Sequence, residues 1–89
     1  MKPTPEELRM ALAEAEHLRE AGDDRCHLAK TVLYQHERLR HLENVLAHAE
    51  RLVKFGLDEH EHALLVKALD AAKRAEAAAT KGDETLGLG

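Results

Sequence analysis

An all-α fold of three antiparallel helices is predicted by three features of the sequence. The apolar residues are almost only leucine and alanine, the glycines and prolines sit where helices would begin or end, and a four-three apolar repeat runs through the middle of the chain. Fifteen Leu and fifteen Ala accompany four Val, one Phe and one Tyr, with no Ile and no Trp. Leu and Ala are strong helix formers and neither is β-branched, so strands are disfavoured throughout.

Thr4-Pro5-Glu6-Glu7 combines an N-cap, a proline at the first helical position and a capping-box glutamate at the third. The first helix is therefore placed at 5–21, closed by Gly22 in the left-handed conformation. Asp24 offers a cap for a second helix over 25–55. Gly56 ends that helix, Leu57 can supply the apolar contact of a Schellman ending, and Asp58 with Glu61 has the spacing of a second capping box. The third helix is placed at 59–81. Its body tapers to alanine, and 82–89 (GDETLGLG) carries no periodicity, so a single helical domain over 1–81 with a flexible tail over 82–89 is expected.

Leu28, Val32, Gln35, Leu39, Leu42, Leu46, Ala49 and Val53 recur at alternating spacings of four and three, a heptad seam with one polar member. Val45 and Leu52 widen its lower half beyond what one neighbouring helix covers. The first helix contributes Leu8, Ala11, Leu12, Ala15 and Leu18, and the third Leu64, Leu65, Ala68, Leu69 and Ala72. Short loops make successive helices antiparallel neighbours in an up-down-up bundle. At 1.5 Å per residue the three measure about 25, 46 and 34 Å, so the long second helix is the central one and neither flanking helix covers it.

Composition removes several function classes. There is no serine and no phosphate-cradling glycine pattern, so serine hydrolases and nucleotide loops are excluded. Cys26 and His27 are adjacent and diverge by about 100° on a helix, which prevents their acting as nucleophile and base. No enzyme activity and no cofactor are expected. No apolar run approaches the roughly 20 residues of a membrane span. A lone cysteine and an N-terminus without a secretory core point to the cytoplasm. A net charge of −4 without a basic patch argues against nucleic acid.

Seven histidines are the compositional oddity. His27, Tyr34, His41, His48 and Phe55 recur every seven residues beside the seam. Boundary positions suit amphipathic rings, while a stripe of imidazoles would also make a pH-sensitive face. In Glu59-His60-Glu61-His62 the two imidazoles point about 200° apart, so one ion cannot be chelated by both. Asp58 with His62 and Glu37 with His41 are better spaced, but two ligands fall short of a zinc site. No resident metal is expected, and a histidine-based metal or pH sensor is the alternative reading.

The stretch from Glu37 to Ala72 (ERLRHLENVLAHAERLVKFGLDEHEHALLVKALDAA), with the ending ETLGLG, resembles a family of small all-helical proteins from gammaproteobacteria. The resemblance implies a bacterial origin and carries no activity or site. What the residues themselves support is a helical module that binds itself or another protein. A homodimer is expected, with Gln35, Val45, Leu46, Leu52, Val53, Leu65 and Ala72 at the contact. An unpaired buried amide costs about 1–3 kcal/mol, so Gln35 must reach solvent or find a partner, and in a seam it would set the register.

Overall fold

The computed structural model describes residues 1–56 and 58–88, the side chains of 82–88 lying outside that description. Every regular element among them is helical: α1 (Pro5–Ala21), a 3-10 turn (Arg25–His27), α2 (Leu28–Phe55) and α3 (Glu59–Leu88). The predicted all-α class with three α-helices is what the chain adopts.

The start of α1 follows the capping logic of its sequence. The Glu7 amide donates to Thr4 Oγ1 at 3.1 Å and the Thr4 amide donates to Glu7 Oε1 at 2.8 Å, closing the reciprocal box. At the other end Gly22 takes φ 73°, and the Asp23 amide donates to the Leu18 carbonyl at 3.0 Å, the long bond of a Schellman ending.

The second helix begins later than position 25. Cys26 and His27 both hold positive φ (53° and 59°), which an α-helix does not accept, so regular helix starts at Leu28. This left-handed turn folds Asp24 back over the new N-terminus. Its carboxylate accepts from the Ala29 amide and, at 2.9 Å, from the Lys30 amide, while Arg19 Nη1 stands 3.4 Å away. Asp24 thus caps α2 from five and six residues away, and only 6% of its side chain is exposed. Desolvation pushes this carboxyl upward, but the Ala29 and Lys30 amides and the Arg19 guanidinium outweigh it and hold Asp24 below the usual aspartate range.

Gly56 (φ 74°) closes α2. The expected contact of Leu57 lies outside the described residues. Asp58 caps α3 through the His60 amide at 2.9 Å. Glu61 Oε2 is buried without a hydrogen-bond partner. The alanine taper predicts fading near Lys81, whereas the helical backbone continues to Leu88. An internal glycine such as Gly82 costs a helix about 1 kcal/mol and does not by itself stop it. The flexible tail expected over 82–89 otherwise concerns residues outside the full description.

By packing, the chain divides into two compact units, Met1–Glu37 and Arg38–Gly89, and α2 contributes to both. In the first unit α1 meets the beginning of α2. Ala15 and Ala29 are buried there, with Leu12, Leu18, Val32 and Leu33 half-buried around them. In the second unit the remainder of α2 runs antiparallel to α3, the chain reversing between Phe55 and Glu59. Ala68 and Ala72 are buried, with Val45, Leu52, Leu64 and Leu65 half-buried. Those four alanines, each exposed by 5% or less, are the whole buried core among the described residues. Burial of an alanine methyl removes little area from water, so neither unit gains much hydrophobic stabilisation from its interior.

Candidate functional site

The second unit decides which face of α2 is used internally. Arg38, His41, Val45, His48 and Leu52 are its half-buried residues at three-four spacing, and they form the stripe turned toward α3. Two polar contacts anchor this choice. Arg38 Nη1 donates to the Ala72 carbonyl at 3.2 Å, and Arg38 Nε stands 3.7 Å from a Glu76 carboxylate oxygen. The alanine row of α3 presents only methyl groups to this stripe, so the two backbones can approach closely.

The heptad seam is the same stripe displaced by one residue, about 100° around the helix. Its large members are therefore turned away from α3, while Ala49 stays half-buried. Leu39 is 53% exposed, Leu42 43%, Leu46 57% and Val53 86%. The sequence pattern locates the apolar stripe correctly but does not say which helix covers it. The missed signal is Arg38, a basic residue level with the alanine face of α3.

The seven residues expected at a dimer contact divide accordingly. Gln35, Leu46 and Val53 are exposed. Val45, Leu52 and Leu65 are half-buried, and Ala72 is buried within the α2–α3 pair. The pair uses these last four for its own packing. Gln35 reaches solvent, the first of the two outcomes open to it.

The histidine stripe is split by the same geometry. His41 and His48 are half-buried, whereas His27, Tyr34 and Phe55 are exposed. Lys54 Nζ lies 5.9 Å from the Phe55 ring centroid. His48 Nδ1 is buried without a hydrogen-bond partner. An open pocket at the helix reversal is lined by Leu52, Gly56, Glu59 and His62. Among the described residues no group of three or more His, Cys, Asp or Glu side chains gathers as a metal site. Cys26 is exposed on its left-handed turn. Among the described residues no helix is long and apolar enough to cross a membrane.

No family model matches the chain, and no curated protein or solved structure matches it significantly.

Proposed function

We propose that the protein is a non-catalytic helical interaction module of the bacterial cytoplasm that self-associates as a homodimer. The observation carrying this reading is the exposed seam Leu39, Leu42, Leu46 and Val53 beside a core of alanines. Large apolar side chains left in water next to a thin interior are what an assembly surface looks like before its partner is added. Light scattering over a ~100-fold concentration range tests it, because association by mass action populates the larger species as concentration rises. A mass of twice the 9.9 kDa chain is expected, and 9.9 kDa throughout overturns the proposal.

A second reading, a histidine-based response to pH or metal, is favoured by the buried and unpartnered His48 Nδ1 and Glu61 Oε2. Imidazoles gain a proton over the range in which the assembly would be measured. Sedimentation at about pH 5.5 and about pH 8 separates the readings: an unchanged mass removes the switch. Elemental analysis of untagged protein, if it finds no stoichiometric metal, removes the metal site.

A further inference from the structure

Two helices of the second unit, not one, leave apolar surface in water. On α2 it is the seam, each member one residue beyond an inward-facing one. On α3 the exposed Leu69 and Val66 likewise follow Ala68 and Leu65, which are buried and half-buried. In an antiparallel pair, a 100° step taken from the inward residues turns toward the same side of the pair on both helices, because the twofold relating them lies along that side. Arg38 is level with Ala72 and Glu76, so Leu69 is level with the stretch of α2 between Leu42 and Leu46. The seam of α2 and the outer flank of α3 are therefore two halves of one face.

Resting on the reading of this protein as a self-associating module, we infer that the face is covered by the same face of a second copy, giving a twofold four-helix bundle built from two α2–α3 pairs. Area supports this occupant. Leu39, Leu42, Leu46, Val53, Val66 and Leu69 together leave on the order of 500 Å² of apolar surface per chain, at the upper end for a monomer. Two such faces meeting remove about 1,000 Å², which reaches the threshold of a specific interface.

The test is the mass of the full chain and of variants by light scattering, with helicity followed by circular dichroism. Wild type is expected at twice 9.9 kDa. Leu46→Glu and Leu69→Glu are each expected at the single-chain mass with helicity kept, and Ala47→Glu, on the outer surface of α2, at the double mass. Should either glutamate variant lose its helicity, Leu46→Ala and Leu69→Ala preserve helix propensity and are each expected to weaken dimerisation by at least about tenfold. If the α3 substitutions leave the dimer intact while those at Leu46 dissociate it, the four-helix face is wrong and the α2 seam remains the contact. If wild type itself stays at 9.9 kDa, self-association is wrong altogether.

Discussion

Arg38 of α2 donates through Nη1 to the backbone carbonyl of Ala72 on α3, 34 positions later in the chain. A carbonyl inside a helix is already engaged along the axis, so this is a second bond to it and ties one backbone to the other helix. With Glu76 beside the same guanidinium, the contact chooses which face of α2 meets α3. Arg38→Ala is expected to lower stability by about 1–2 kcal/mol, between the values typical of a charged hydrogen bond and an exposed ion pair. Arg38→Lys should recover only part of this, since an ammonium does not reproduce the guanidinium fork. Urea midpoints at fixed protein concentration measure both, and an unchanged midpoint for Arg38→Ala would mean that the contact does not choose the face.

The cap on α2 makes stability depend on acid. Asp24 titrates lower in the folded chain than in the unfolded one, so its contribution is complete above the ordinary aspartate range and is lost as pH falls through the depressed folded value. The difference in urea midpoint between wild type and Asp24→Ala should therefore be constant from neutrality down to about pH 5 and shrink below about pH 4. A difference that instead grows on acidification contradicts the assignment.

The turn before α2 stores strain at Cys26, whose φ of 53° belongs to the left-handed region and whose side chain is exposed. Glycine relieves a penalty of about 1 kcal/mol there while losing somewhat less through greater freedom in the unfolded chain. Cys26→Gly should raise the melting temperature by a few degrees. A fall on thermal denaturation would show that the side chain has a packing role.

Gly56 supplies the opposite case. Its φ is 74° and an added Cβ would meet nothing within 4 Å, so any cost of Gly56→Ala is purely conformational. A loss of about 1 kcal/mol is expected in denaturant titration, and a stabilised variant would mean that the α2–α3 reversal adopts another geometry.

What could be read from the sequence follows from the range of the forces involved. Thr4 with Glu7 and the closing glycines at 22 and 56 act over five residues or fewer, and their signatures predict the observed helix ends. The late start of α2 was hidden because it depends on Asp24 reaching Ala29 and Lys30 across a strained turn, a pattern no capping motif describes. The apolar seam was legible as a pattern, but its covering was not. A stripe of leucines specifies that something must bury it, while Arg38 and the small residues of α3 direct that helix onto the neighbouring stripe instead. Consequently, of the residues proposed for a contact, Leu46 and Val53 stay on the open face and Ala72 goes to the closed one.

The alanine interior reverses the usual map of which positions tolerate change. In most domains a buried leucine can be exchanged for methionine or isoleucine by repacking, because large side chains have rotamers to adjust. Ala68 and Ala72, both buried, have no rotamers to adjust. Enlarging either one forces α2 and α3 apart at a cost of roughly 1–3 kcal/mol, and with them goes the level at which Arg38 meets its carbonyl. In a library of random substitutions scored on folding of the isolated chain, the smallest residues should prove the most restricted, and the largest apolar ones on the open face among the most permissive.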